Sequence, residues 1–308
     1  MRTAPGGPEL PAPAGESVPS ATPGASRAPE RPGGPPAFRA PEPRAPEPRA
    51  PAPRFEPLRD AVRAEWTKVW TLPGTRPLLG ALVLLTVALG AVAAATVSYH
   101  PGTDAAKVSL TGVQLGEAVA AVLGAAMIAG EHSTGMLGST FAAMPRRGTV
   151  LAAKAAVLAA MVLPAALLSV GGSLLAGRLL LPAAARPALS ATDGSVLRAG
   201  FGSALCLVLV ALLALGTAAA VRDPGTSIGA VLALLYLFPI TAALVADPHW
   251  QRHLQQIGPS SAGLAVQTTV PAVLHTQPIG PWAGLGVLAC WAGAALLAGT
   301  AVLRARDA

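Results

Sequence analysis

His249 and His253, four residues apart and preceded by Asp247, have the spacing that places two imidazoles on one face of a helix, where they could hold a metal ion. The glutamate of a His-Glu-x-x-His zinc motif is missing, and Pro248 is expected to disfavour a regular helix there. No metal site is therefore expected. Ser260 and Ser261, between Pro259 and Gly263, are hydroxyl nucleophiles with no activating base beside them in the sequence. A nucleotide site is also missing, because no Gly-x-x-x-x-Gly-Lys-Ser/Thr loop occurs anywhere. The stretch Gly148 to Lys154 supplies a glycine and a lysine but neither the second glycine nor the hydroxyl that would hold magnesium. The chain is expected to hold no cofactor and to be no enzyme. Glu117 stands apart, as an ionisable residue inside an apolar run and so a functional candidate; two simpler fates are snorkelling to the outer surface or pairing with Lys107.

The elements that would position these residues are apolar. Six runs stand out, roughly Leu78 to Ser98, Glu117 to Ala129, Ala155 to Ala176, Leu197 to Val221, Ser227 to Ala246 and Trp282 to Leu303. Most approach the ~20 residues a helix needs to cross ~30 Å of hydrocarbon, and the second needs its flanks to do so. Lipid offers no partner to a free N–H or C=O, so each run should be α-helical. With 52% hydrophobic and 12% charged residues, an ordinary water-soluble domain of this length is excluded. The expected fold class is an all-α polytopic membrane protein with six transmembrane helices, the membrane domain covering residues 77–308. The two cysteines, Cys206 and Cys290, fall inside helices four and six and imply packing rather than a disulfide framework.

Residues 1–57 are a different material, holding 17 of the chain's 31 prolines and the near-repeat Arg39-Ala-Pro-Glu-Pro, Arg44-Ala-Pro-Glu-Pro, Arg49-Ala-Pro-Ala-Pro. Such a stretch buries too little apolar surface to offset its ordering entropy, so a disordered cytoplasmic tail is expected. It has no hydrophobic core of the kind a cleavable signal peptide needs. From Leu58 to Leu72 the periodicity turns helical. Leu58, Val62, Trp66, Val69 and Trp70 form one stripe, with Arg59, Asp60, Arg63 and Lys68 away from it. An amphipathic helix with tryptophans and basic residues suits the headgroup region, and residues 58–76 are expected to form such an interfacial helix and its exit. Six spans with both termini inside put 17 of the chain's 22 Lys and Arg on the inner side and 5 outside, the arrangement the positive-inside rule favours.

The inner segment between the second and third runs, Gly130 to Gly148, is polar and compact but carries Met136, Leu137, Phe141 and Met144 at helical spacings. A short helix there, ended by Pro145 and followed by Arg146 and Arg147, suits docking on a cytoplasmic protein. The same residues would also serve simply to fix topology and touch lipid. Three pieces together resemble the permease subunits of ABC-2 type transporters, in particular bacterial six-span half-transporters. The first is Glu65-Trp66-Thr67-Lys68 before the first span. The second is Gly130-Glu131-x-x-x-Gly135-Met136-Leu137 with Thr140-x-Ala142-Ala143-x-Pro145-Arg146-Arg147. The third is Leu151-x-x-Lys154.

The resemblance covers roughly residues 60–305. It implies that Glu131, His132, Gly135, Met136, Phe141, Pro145, Arg146 and Arg147 lie at or near a coupling helix that receives motion from a separate ATPase. It also implies that Trp66, Lys68 and Trp70 belong to an interfacial connecting helix, and that residues 247–281 form an outer re-entrant region. ATP and Mg would be bound by the partner ATPase. The permease would pair with itself or with a related permease in the bacterial plasma membrane, no nucleic acid being involved, and export would be favoured over import. Few and hydroxyl-bearing polar residues in the spans, such as Thr86, Ser169, Ser173, Thr217 and Thr241, point to an amphiphilic or apolar cargo. Gly112, Gly116, Ala120 and Gly124 recur every fourth residue and are expected to let a neighbouring helix approach closely. A membrane-embedded enzyme and a non-transporting scaffold are the alternative function classes.

Overall fold

Every regular element in the computed structural model is helical among the residues it describes, which are 57–71, 74–100, 102–133, 147–221 and 223–305. Of the expected tail, residues 1–57, only Pro57 is among the described residues, and it opens a helix; the predicted short helix around Met136 to Met144 lies outside them. The long helices are α1 (Pro57–Thr71), α2 (Thr75–Thr96), α4 (Gly112–Ser133), α5 (Arg147–Leu180), α6 (Gly194–Val221), α7 (Pro224–Ala243) and α11 (Pro281–Ala305). Shorter helices fill the connections: α3 (Ala105–Ser109), α8 (Pro248–Ile257), α9 (Pro259–Leu264) and α10 (Pro271–Thr276), with 3-10 turns at Ala183–Leu189 and Ala265–Gln267.

Prolines that read as breakers are starters here. Helices α7 to α11 each begin with one, at Pro224, Pro248, Pro259, Pro271 and Pro281. The first helical residue has no intrahelical partner for its N–H, so proline loses nothing there and its fixed φ favours the turn. Aspartates cap two of these starts: Asp223 accepts from the Thr226 N–H at 2.6 Å and Asp247 from the His249 N–H at 2.8 Å. Hydrogen bonds to the charged carboxylate hold Asp223 below the ordinary aspartate range, and Asp193 is lowered likewise by Ser195. Pro239 falls inside α7, where its ring and missing N–H conflict with the carbonyl four residues back, that of Leu235. The helix widens into a π segment over Ala233–Leu237.

Five helices, α2, α5, α6, α7 and α11, are long and apolar enough to cross a membrane; the apolar part of α4, Gly112–Ile128, is shorter. The second expected run thus forms a helix, but the described structure establishes five spanning candidates rather than six. Helix α6 is buried along most of its length, against α4, α5 and α11. Helices α2, α7 and α11 instead turn most of their apolar surface outward, including Leu84, Ile240 and Leu297. Such surface would be untenable in water and needs lipid beside it. The chain is a membrane-embedded helical protein.

Close backbone contact sets how the bundle packs. A Cβ added to Gly112 would lie 1.9 Å from the Thr86 carbonyl oxygen on α2, and one on Gly124 would lie 2.1 Å from that of Ala211 on α6. Gly116 faces the Thr86 hydroxyl and Leu207, and Ala120 is fully buried. The sequence pattern did not mark Gly216 and Gly284, where an added Cβ would lie 2.5 and 2.0 Å from the backbones of Ala295 and Ala262. Of the two cysteines, Cys206 is buried but Cys290 is exposed, so a packing role holds only for the former.

Candidate functional site

At the end of the bundle where α1 meets the start of α5, two motifs far apart in sequence come together. Ala61, Glu65 and Val69, one turn apart on α1, are buried, and α1 packs on α5. A carboxylate on such a face must find a cation. Lys154 supplies it, with Nζ 2.7 Å from Glu65 Oε2 and both side chains about 5% exposed. Lys68 occupies the other oxygen, Oε1, at 3.1 Å, from a third-exposed position. The buried face of α1 is therefore displaced from the expected stripe: Val62 packs against the core, but Trp66 points outward. That stripe consists of apolar residues alone, and Glu65, being charged, falls outside it. Trp70 lies in the last turn of α1.

The coupling residues divide between described and undescribed segments. Helix α4 runs on to Ser133, so Glu131 and His132 belong to its last turn rather than to a separate inner segment. Arg147 opens α5, a helix of 34 residues, about 50 Å long, which exceeds the hydrocarbon core and carries Lys154 two turns from its start. Gly135, Met136, Phe141, Pro145 and Arg146 lie outside the described residues.

The opposite end holds a second cluster. Glu117 neither snorkels nor meets Lys107. It is fully buried, accepting from the Ser260 hydroxyl at Oε2 (2.9 Å) and the Cys206 thiol at Oε1 (3.4 Å). Glu117 starts the second turn of α4, whose close packing on α6, with Gly124 against Ala211, turns it inward. Ser260 reaches it because α9, buried at Pro259, Ser260, Ala262 and Gly263, inserts against α11. The segment after α9 is tied to the rest of this end by hydrogen bonds. Asp104 accepts from the Thr269 N–H and hydroxyl, both at 2.7 Å, and the Arg198 guanidinium donates to the Thr268 carbonyl at 2.7 Å. Gln277 donates to the Thr268 hydroxyl at 2.6 Å, and Gln267 to Ser203 at 3.2 Å. Beside Ser260 opens a cleft of about 440 Å³ between α4, α7 and the α8 to α10 region.

His249 and His253 do share one face of a regular helix, α8, since Pro248 starts it rather than breaking it. Their rings meet edge to face with centroids 4.5 Å apart. Among the described residues no group of three His, Cys, Asp or Glu side chains is arranged to hold a metal.

No known protein family matches this sequence, and no curated protein does. The functional reading therefore rests on the chain's own residues. Two features of the site escaped the sequence. The Glu65–Lys154 pair joins residues 89 apart, and Ser260 meets Glu117 across 143. For the first a signal existed, because Glu65 is spaced by four from Ala61 and Val69 on an otherwise apolar face. Nothing local announced the second.

Proposed function

We propose that the chain is the permease subunit of an ATP-driven exporter of the ABC-2 type, with six spans and both termini in the cytoplasm of a bacterium, its transport driven by a separate ATPase. The observation that supports this most is the buried Glu65–Lys154 ion pair. A permease driven from outside must pass force from a surface segment into its spans without losing it to local flexing. Glu65 locks α1 to the base of α5, and the base of α5 directly follows the segment 131–147 that resembles a coupling helix. Movement of that segment would then carry α1 and α5 together as one body. A second copy, or a related permease, would complete the pathway, and ATP and Mg would be held by the ATPase.

The reading is tested by reversing charge at Arg146 and Arg147, and separately by Glu131→Gln, in the reconstituted complex. Loss of cargo-stimulated ATPase activity with normal insertion is expected. Full activity in both variants would remove these residues from coupling. The hydrogen bond between Ser260 and the buried Glu117 favours a membrane-embedded hydrolase as the second reading. That reading requires Ser260 to react with a fluorophosphonate probe.

A further inference from the structure

The cleft beside Ser260 has a two-sided wall. Lys107, Gln114, Gln255, Ser260, Gln267 and Gln277 supply polar groups, and Leu235, Pro239, Ile240, Leu264 and Ile279 an apolar surface. Its volume, about 440 Å³, falls in the range of sites that enclose a small organic ligand. Ile240 is more than half exposed, so the apolar wall runs without interruption onto the outward face of α7 that lipid must cover.

The electrostatics of the polar wall have one sign. Among the described lining residues Lys107 is the only Lys, Arg, Asp or Glu, and it is exposed. The nearby carboxylate, Glu117, is withdrawn behind Ser260 and fully buried. Asp104, in the preceding turn, is occupied by Thr269, Val270 and the Lys107 backbone. The side-chain amides of Gln114 and Gln255 and the Lys107 ammonium make no hydrogen bond among the described residues, which leaves several donors facing the cleft. The Tyr236 hydroxyl is already committed to the Gln114 carbonyl.

We infer that this cleft binds an amphiphile with an anionic, phosphate- or carboxylate-type headgroup, the head held by Lys107 and the glutamine amides and the chain lying along α7. A charged acceptor would use donors the protein leaves unpaired, while a cationic head would face Lys107 with no lining carboxylate to balance it. The inference goes beyond the proposed function, since it concerns ligand binding by this chain with no ATPase present. Such a ligand could come from the bilayer itself or be a single-chain cargo.

The test uses the full chain in nanodiscs of zwitterionic lipid, titrated with dodecyl phosphate, dodecanol and dodecylammonium, which share a chain and differ in head charge. Dodecyl phosphate is expected to bind saturably and about tenfold more tightly than the amine. Lys107→Gln should abolish that preference, and Ile240→Trp, which fills the cleft from an exposed position, should abolish saturable binding with the melting temperature unchanged. Added phosphatidylglycerol competes if the natural ligand is a bilayer phospholipid and has no effect if only single-chain amphiphiles enter; either result supports an anionic-head site. Equal binding of all three probes, or binding undisturbed by Ile240→Trp, would overturn it. Failure here leaves the ATPase-coupled reading standing, because that reading is read out by ATPase activity and not by this binding.

Discussion

Cutting the contact between α1 and α5 gives the sharpest energetic prediction. Glu65 faces two cations of unequal weight: Lys154, about 5% exposed at 2.7 Å, and Lys68, 33% exposed at 3.1 Å. Removing one member of a buried pair costs about 3–5 kcal/mol, since a desolvated charge loses its partner, whereas an exposed pair contributes at most about 1 kcal/mol. Lys154→Met should fall near the lower end, about 3 kcal/mol, because Lys68 still neutralises Glu65. Glu65→Gln should cost as much or more, about 4 kcal/mol, by removing the carboxylate from a buried ammonium. Lys68→Ala should cost less than about 1 kcal/mol. The double variant Glu65→Gln/Lys154→Met removes both charges at once and should be less destabilised than the sum of the two singles by about 2–3 kcal/mol. Reversible unfolding in mixed micelles, followed by helical signal for all four forms, measures the coupling. Additivity within about 0.5 kcal/mol would show that the two side chains do not interact, and the proposed mechanical link would go with it.

Gly112→Ala and Gly124→Ala should each destabilise the protein by about 1–3 kcal/mol, because their Cβ atoms would lie 1.9 and 2.1 Å from backbone oxygens of α2 and α6. Gly171→Ala, which meets nothing within 4 Å, should be neutral or slightly stabilising in the same melts. Ser260→Ala removes one of the two donors to the buried Glu117 and should cost about 1–3 kcal/mol, and Ser260→Thr, which keeps the hydroxyl, should restore much of it. The Asp223 cap is a carboxylate with a lowered folded pKa, so its contribution is fully present above the ordinary value of 3.8 and is lost as pH falls through the lower folded value. The melting-temperature gap between the wild type and Asp223→Asn should therefore be widest near neutrality and narrow on acidification toward pH 3; a gap that does not change with pH would contradict it.

The apolar skeleton was legible because lipid-facing helices need continuous apolar residues, so the runs beginning at Leu78, Leu197 and Trp282 find their helices within a few residues. Their ends were less legible. Helix α5 starts at Arg147, eight residues before the apolar run at Ala155, since a helix that leaves the hydrocarbon continues through polar residues without a change of backbone. The region 247–281 carries five prolines, yet Pro248, Pro259 and Pro271 each open a short helix, because proline marks a helix start as well as a stop. Periodicity put Trp66 on the buried side of α1. The residue there is Glu65, and only the arrival of Lys154 from α5 makes that burial tolerable. The Glu117, Cys206 and Ser260 cluster is assembled from three helices, and no spacing within one segment could reveal it.

The central claim is that this chain works with a separate ATPase through the segment that joins α4 to α5. The most direct test is gentle detergent extraction of the tagged chain from its own cells, with identification of what co-purifies and an assay for ATP hydrolysis. The account predicts a Walker-motif ATPase in the preparation, lost when residues 131–147 are scrambled although the protein still inserts. A folded, inserted protein that brings down no ATPase under several mild conditions, or retains it after scrambling, would contradict the account.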